Sequence, residues 1–298
     1  MLAYNEEKHI ARALESVAGI AREIFIIDSS STDRTAELAR GYGAIVLQRE
    51  FTSCARLFQW ALDNAPITAS WIMKLDADEV IEPDLGAKIS AELPTLGEDV
   101  VGVNLKRKHI FLGRWIRHGG RYPVILLRIW RRGCGRVEDR WMDEHVIVWG
   151  GRTVTFEGGF ADHNLNDLTF FTNKHNKYAT REAVDVIVRR RELLARDTGL
   201  SVQGSSLQAA VKRFVKEKIY NRVPYQIAAP AYFLYRLIFQ LGFLDGKEGL
   251  VYHGLQGLWY RFLVGAKLDE LELAIAGIED PAEVRAALRR LTGLVIDP

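Results

Sequence analysis

Two carboxylates one residue apart, Asp76 and Asp78, follow the apolar run Trp71-Ile72-Met73-Lys74-Leu75. If the chain stays extended there, the two-residue period of a strand puts both side chains on one side. Hard oxygen donors at that spacing suit Mg²⁺ or Mn²⁺, ions that keep coordination positions for water and phosphate oxygens. Asp28 is another acid ending an apolar run (Ile24, Phe25, Ile26, Ile27), and Ser29-Ser30-Ser31-Thr32-Asp33 follows it. At the carboxyl end of a strand it could accept a hydrogen bond from a base or ribose, and open α/β sheets bind ligands at that edge. Either motif alone is also an ordinary solvated turn. Together with Ala3, Tyr4 and Glu6, they would gather polar groups on one sheet edge.

Those residues need strands to carry them and helices to space the strands. Asn5 is a good N-cap, Glu6 and Glu7 suit a first turn, and Ile10, Ala13, Leu14 and Val17 repeat at helical spacing. Strands are expected at 23–27, 44–47 and 70–75, the last delivering Asp76. The serine-threonine turn is expected to cap a helix ending near Gly41 and Gly43, and another helix covers 53–64. This alternation predicts an α/β fold with a mostly parallel sheet flanked by helices. Only four residues precede Asn5, so the strand leading into the first helix is expected to be cut short. Further strands are expected at 101–110, 126–130 and 152–156, then helices at 170–198, 207–220 and 270–291.

A chain of 298 residues with 48% apolar composition can bury a large core. The net charge of +2 gives no global bias toward nucleic acid. Cys54 and Cys134 have no pairing pattern, which fits a reducing compartment. The opening Met-Leu-Ala-Tyr-Asn-Glu-Glu lacks the charged start and apolar run of a secretory leader, so a cytoplasmic location is expected. The apolar stretch 227–244 contains Pro230, Arg236 and Gln240 and barely reaches the roughly 20 residues of a membrane span. A helix lying on a membrane suits it better than one crossing.

Tyr4-Asn5-Glu6-Glu7, Asp28-Ser-Ser-Ser-Thr-Asp-Arg-Thr35 and Leu75-Asp-Ala-Asp-Glu79, in that order, resemble family 2 glycosyltransferases of the GT-A (nucleotide-diphospho-sugar transferase) fold. Farther on, Gly113-Arg-Trp-Ile-Arg-His-Gly-Gly120, the arginine-rich run around Arg128 and Gly242-Phe-Leu-Asp-Gly246 resemble a subgroup that builds bacterial lipopolysaccharide core or exopolysaccharide. The resemblance implies a nucleotide-sugar donor, usually a uridine one, held by Ala3, Tyr4, Glu6 and Asp28. Asp76 would lie near ribose and diphosphate, and Asp78 would be the chief ligand of a divalent metal. Gln59 stands where the family often has Asn. The expected organisation is a catalytic domain over 1–168, with a nucleotide-sugar half at 1–110 and an acceptor half at 111–168. A helical region, 169–298, follows.

Inverting transfer needs a base for the acceptor hydroxyl. Trp141-Met142-Asp143-Glu144-His145 holds two candidates; alignment with the subgroup favours Glu144 over Asp143. The same alignment makes His163, in Asp162-His163-Asn164, a third metal ligand or a phosphate contact. Lys174, Lys177 and Tyr178 on the next helix could reach the diphosphate, and the run Arg114 to Arg136, interleaved with Trp115, Tyr122 and Trp130, suits phosphate on donor or acceptor. Lys212, Arg213, Lys216, Lys218 and Arg222 precede the aromatic stretch from Tyr225 to Phe243, a pattern suited to the surface of an anionic membrane. The expected partners are therefore a nucleotide sugar, a glycan or lipid-linked acceptor, and the inner face of a bacterial inner membrane. Two other readings stay open. Asp-x-Asp after a strand also occurs in haloacid dehalogenase-type phosphotransferases, and a non-catalytic sugar-nucleotide binding module would bind the donor without needing Glu144.

Overall fold

Ile10, Ala13, Leu14 and Val17 are all buried, as their spacing requires, on helix α1 (Ile10–Val17) of the computed structural model. Complete burial of Ile10 and of Leu14 contributes on the order of 2 kcal/mol each. The helix starts later than the sequence suggests. Asn5 does not cap it but sits at φ 55°, a left-handed conformation asparagine tolerates. Its side-chain oxygen accepts from the Thr32 amide at 2.9 Å, and its own amide donates to Ser31 Oγ at 3.0 Å. The N-terminal loop is thereby tied to the loop after Asp28.

The structure describes residues 1–138, 145–193, 223–294 and 296. The chain forms two compact units, Met1–Leu165 with Leu244–Glu248, and Asn166–Phe243 with Gly249–Pro298. The first opens with a parallel three-stranded sheet in the order β1 (Leu2–Ala3), β2 (Phe25–Asp28), β3 (Ile45–Gln48). Ala3 lies opposite Asp28, and Asp28 opposite Gln48. Helix α2 (Thr35–Gly41) links β2 to β3. Helix α3 (Cys54–Asn64) begins at Ser53, whose hydroxyl accepts from the Arg56 amide at 3.1 Å.

Parallel pairing is then largely left behind. Strand β4 (Trp71–Met73) pairs antiparallel with β8 (Val124–Arg131) in a second, six-stranded sheet ordered β4-β8-β6-β11-β5, with β7 (Arg114–Ile116) on β6. Only β6 (Val100–Phe111) and β11 (Arg152–His163) are parallel there. The cause is local. β4 ends at Met73, and the chain turns back, the Glu79 amide donating to the Asp76 carbonyl at 3.0 Å, into β5 (Glu79–Ile81), antiparallel to β11. Helix α4 (Pro83–Glu92), absent from the sequence expectation, has Pro at its first position. Its Leu85 and Ile89 pack with Val103, Leu105, Phe156 and Phe160 against the second sheet. Opposite Leu85, β11 changes register between Thr155 and Gly159. Gly158, at φ 106°, would bring an added Cβ within 3.1 Å of the Leu85 backbone.

Beyond it, β9 (Gly135–Val137) and β10 (Val146–Val148) form a separate antiparallel pair that the sequence expectation also lacks. In the second unit α5 (Leu168–Arg190) is capped by Asp167, which accepts from the Phe170 amide at 2.8 Å. Helices at Tyr225–Leu234, Tyr260–Ala274 and Pro281–Thr292 follow, with π-helical turns at Tyr235–Phe239 and Gly254–Trp259. The expected helix at 270–291 is thus two, parted at Gly277 (φ 81°) and Pro281. The expected helix at 207–220 lies outside the described residues. Among those described, no single helix is long and apolar enough to cross a membrane. The pair Tyr225–Phe239 and Gly242–Ala274 passes that test only together, bent by 76°.

Candidate active site

Ala77, between the two aspartates, is buried in one cluster with Ala3, Ile10, Leu14 and Ile26. That packing seats the Asp76-Ala77-Asp78 turn against β1, β2 and α1, although β4 belongs to the other sheet. Because the chain turns instead of running on as a strand, the two carboxylates meet different neighbours. Asp76 faces Arg128 of β8, whose Nη2 is 3.3 Å away. Asp78 accepts from Asn164 Nδ2 at 3.0 Å, and its carbonyl accepts from the His163 amide at 3.0 Å.

Behind the turn lies a buried ionic network. Arg128 donates to Glu79 at 2.6 Å, and the other Glu79 oxygen accepts from the Asp76 amide at 3.0 Å. Arg107 stands 3.8 Å from Glu79 and 3.7 Å from Asp162, which also pairs with His109 at 3.1 Å. Burial pushes the Glu79 carboxyl up to about 8 against the pull of Arg128, with Asp76 and Asp162 adding to the rise. Asp76 goes the other way: burial opposes ionisation, but Arg128, Lys74 and Arg107 outweigh it and hold the group below the ordinary aspartate value. Asp162 is likewise held low, its burial overcome by His109, Arg107 and Arg121. Two adjacent acids pushed in opposite directions are a recurrent mark of functional sites.

At the carboxyl end of β2, Asp28 is fully buried and accepts from Ser31 Oγ at 2.5 Å and from the Ser31 amide at 3.2 Å. Tyr4, which follows the β1 residue opposite Asp28, is 58% exposed. Glu6 is engaged elsewhere, 2.6 Å from Nδ1 of buried His9. His9 Nε2 accepts from the Leu165 amide at 2.9 Å, so the Nδ1 proton is the one shared with Glu6. Gln59 accepts from the Val137 amide at 3.0 Å and donates to Asp63 at 2.9 Å.

Arg12 of α1 donates through Nη1 to His163 Nδ1 at 3.0 Å and through Nη2 to the His163 carbonyl at 2.7 Å. The carboxyl end of β11 is therefore fastened to α1 by Arg12 and His9. The structure brings Ala3, Asp28, Asp76, Asp78 and His163 into one unit, while Lys177 is an exposed residue of α5 in the second unit. Asp143 and Glu144 lie outside the described residues. Sequence reasoning missed the roles of Arg12, Glu79 and Asn164. Only Glu79 carried a signal, being part of the Asp-Ala-Asp-Glu run; nothing local marks Arg12 as a partner of a residue 151 positions away.

A divalent cation can be tested against these donors. Among the described residues no group of three or more His, Cys, Asp and Glu side chains could hold one. Asp78 is a half-buried hard oxygen donor that accepts from Asn164 Nδ2, and Asp76 is shared with Arg128. That set fits an ion held by one or two carboxylates and completed by phosphate oxygens and water, the usual habit of Mg²⁺. It does not form a preassembled all-protein cage.

Residues 1–184 match the model of glycosyl transferase family 2, and the chain belongs to that family. It is a glycosyltransferase of the GT-A fold. It is 25% identical over 275 residues to the lipopolysaccharide core biosynthesis glycosyltransferase LpsC of Rhizobium meliloti (strain 1021), covering 90% of each chain. The uncharacterized glycosyltransferase RP128 of Rickettsia prowazekii (strain Madrid E) is 30% identical over 210 residues, 65% of this chain and 68% of that one. Among solved structures, Staphylococcus aureus TarS 1–349 aligns over 90% of both chains at 13% identity and TM-score 0.43. Glucosyl-3-phosphoglycerate synthase from Mycobacterium tuberculosis, in complex with Mn²⁺, uridine diphosphate and glucosyl-3-phosphoglycerate, aligns at 24% identity and TM-score 0.31. That match covers 36% of this chain and 42% of the synthase.

Proposed function

We propose that this glycosyltransferase moves a sugar from a nucleotide sugar, a UDP-sugar in first place, to a glycan or lipid-linked acceptor of the bacterial cell surface, with inversion at the anomeric carbon. The observation that carries the reading is the seating of the Asp76-Ala77-Asp78 turn in one buried cluster with Ala3 and Ile26, Ala3 being the strand partner of buried Asp28. Asp28 and Tyr4 then serve the nucleoside, while Asp76 serves the ribose and diphosphate side. Asp78 would hold a Mg²⁺ or Mn²⁺ ion, whose charge favours departure of the nucleoside diphosphate. Glu144 takes the acceptor proton, and Asp143 is the second candidate for that task. The likeness to a lipopolysaccharide core enzyme over 90% of the chain favours an acceptor of that class.

Membrane-surface attachment belongs to the same reading. Ile227, Leu234, Tyr235, Ile238 and Phe239 are all exposed within one short stretch of the second unit. Five cations between Lys212 and Arg222 immediately precede it in sequence. Apolar side chains next to basic ones suit the interface of an anionic bilayer.

A thermal-shift series with UDP, GDP, CDP and UDP-sugars, with and without Mn²⁺, tests the central claim. Stabilisation by a UDP-sugar that deepens with metal is the expected result. No response to any nucleotide would remove the reading.

A further inference from the structure

We infer that Arg107 receives an anionic group of the acceptor, a phosphate or a carboxylate. This rests on the glycosyl-transfer reading above and gives its acceptor a charge. Most arginines of the neighbouring basic run are engaged by the protein itself. Arg128 is shared by Glu79 and Asp76, Arg131 and Arg132 donate to backbone carbonyls, and Arg114 donates to the carbonyl of Leu244. Arg107, just before that run, differs. A guanidinium carries five N–H donors in a planar fork and no acceptor. Among the described residues those of Arg107 make no hydrogen bond. Its nearest acids, Glu79 and Asp162, stand 3.8 and 3.7 Å from Nη1, beyond hydrogen-bond reach, and its Nε is buried without a partner. Leaving donors of a charged group unmade under protein cover costs free energy that a ligand's oxygens would recover.

The place of Arg107 in the fold matches that role. Its side chain is 23% exposed, covered enough to strengthen a bond and open enough to meet a ligand. The two acids near it each have a closer partner, Arg128 for Glu79 at 2.6 Å and His109 for Asp162 at 3.1 Å, so the fork is not needed to hold either. The Glu79 oxygen 3.8 Å from Arg107 is the one that Arg128 bonds, and Arg128 reaches on to Asp76. Arg107 is therefore two side chains from the turn proposed to hold diphosphate and ion. It stands on β6 of the second sheet, opposite Val124 and Phe160, whereas Ala3 and Asp28 pair in the first. An anion reaching the turn from the second sheet, with the donor's diphosphate already on the ion, belongs to the acceptor. A guanidinium meets phosphate or carboxylate with paired N–H bonds, which makes it selective for such groups.

Arginine side-chain ¹H–¹⁵N spectra of the full chain, saturated with UDP and Mg²⁺, decide it, with Arg107→Lys identifying the Arg107 Nε signal. Inorganic phosphate and acetate, each titrated against chloride at constant ionic strength, are the probes. At least one should shift the Arg107 signal saturably without displacing UDP; phosphate alone points to a phosphorylated acceptor, acetate alone to a carboxylated one, and both to an oxyanion site of either kind. Arg107→Lys keeps a cation beside Glu79 and Asp162 but loses the fork. It should weaken binding of the responding anion by about tenfold, the scale of a hydrogen bond to a charged group, and leave UDP affinity within about twofold. A signal indifferent to both anions would overturn the inference, and so would equal anion binding by the lysine variant, the result expected if Arg107 only balances its two acids. Displacement of UDP by the anion, or loss of UDP affinity in Arg107→Lys, would place the fork on the donor's diphosphate and overturn the acceptor assignment. A wild-type chain that binds no UDP with or without Mg²⁺ would remove the nucleotide-sugar reading itself, a result distinct from the others.

Discussion

Arg128 donates to Glu79 at 2.6 Å and to Asp76 at 3.3 Å, so one buried guanidinium is shared by the acid that opens β5 and the first acid of the Asp76-Ala77-Asp78 turn. Glu79 in return accepts from the Asp76 amide. The pair therefore sets the shape of the turn without facing the ligand directly.

The sign of its pH dependence follows from the opposed shifts. Glu79 binds its proton more tightly when folded, so its contribution to stability is complete below 4.5 and is lost as pH rises through about 8. Asp76 and Asp162 are depressed, so theirs is present above 3.8 and is lost as pH falls through their lowered values. Thermal unfolding should give its highest midpoint on the acid side of neutrality and decline toward pH 8. Glu79→Gln should flatten that decline while leaving the acid limb in place. An unchanged slope above pH 5 or so would show that burial does not dominate Glu79. Arg128→Met should cost about 1–3 kcal/mol, because it leaves the buried Glu79 carboxyl without its hydrogen-bond donor.

Residue order marked Asp28, Asp76 and Asp78 as candidates, and what it missed has a common cause. Periodicity located α1 and α3, each of which buries a local stripe, and apolar runs located β2, which is buried, and β3, which is only partly covered. Strands β5 and β7, with three residues each, are too short to show a period, and α4 is defined by Pro83 and by packing on β11. The same limit applies to chemistry. Asp28, Asp76 and Asp78 announce themselves at the ends of apolar runs, whereas Arg12, on the polar side of an amphipathic helix, looks like any solvated arginine until β11 is laid beside it.

Asp78 can be separated from Asp76 by their different partners. Asp78→Asn keeps the contact with Asn164 sterically feasible but removes the charge a divalent ion requires. It should abolish metal-dependent strengthening of UDP binding and lower kcat by at least about a hundredfold, the scale expected when charge stabilisation of a leaving group is lost. Asp76→Asn should act mainly on donor affinity with metal response retained. Calorimetry with and without Mn²⁺ reads both; identical behaviour of the two variants would show that the turn holds the ion with both acids equally.

The register change in β11 is a stability device with an internal control. Gly158→Ala meets the Leu85 backbone at 3.1 Å from a φ of 106° and should cost about 1–3 kcal/mol. Gly150, at φ 87° with nothing within 4 Å of an added Cβ, should lose only the backbone part, near 1 kcal/mol, on changing to Ala. Urea unfolding of both variants gives the difference, and equal losses would mean that α4 moves to accommodate the methyl.

Membrane attachment makes a prediction independent of catalysis. Phe239 is 76% exposed and Ile238 51%, so replacing both with Asp removes apolar surface without opening a core. Co-sedimentation with vesicles containing phosphatidylglycerol should fall by about tenfold or more, since each side chain inserted in a bilayer is worth roughly 1.5–3 kcal/mol. Melting temperature should hold. Equal sedimentation of variant and wild type would assign the exposed stretch to some other contact.

The base is the remaining chemical step, and its test rests on alignment with the sequence pattern alone. Direct displacement breaks the bond from the anomeric carbon to the diphosphate as the acceptor oxygen attacks, and the acceptor proton must leave to a base within hydrogen-bond reach. Glu144→Gln preserves size and polarity but cannot take that proton. It should therefore leave UDP-sugar affinity within about twofold and lower kcat by about two to four orders of magnitude, the usual contribution of a positioned base. Asp143→Asn, judged on the same assay, should retain most of its turnover. If the two results are exchanged, Asp143 is the base; if both variants keep full turnover, the proton goes elsewhere and the Asp143-Glu144 pair is structural.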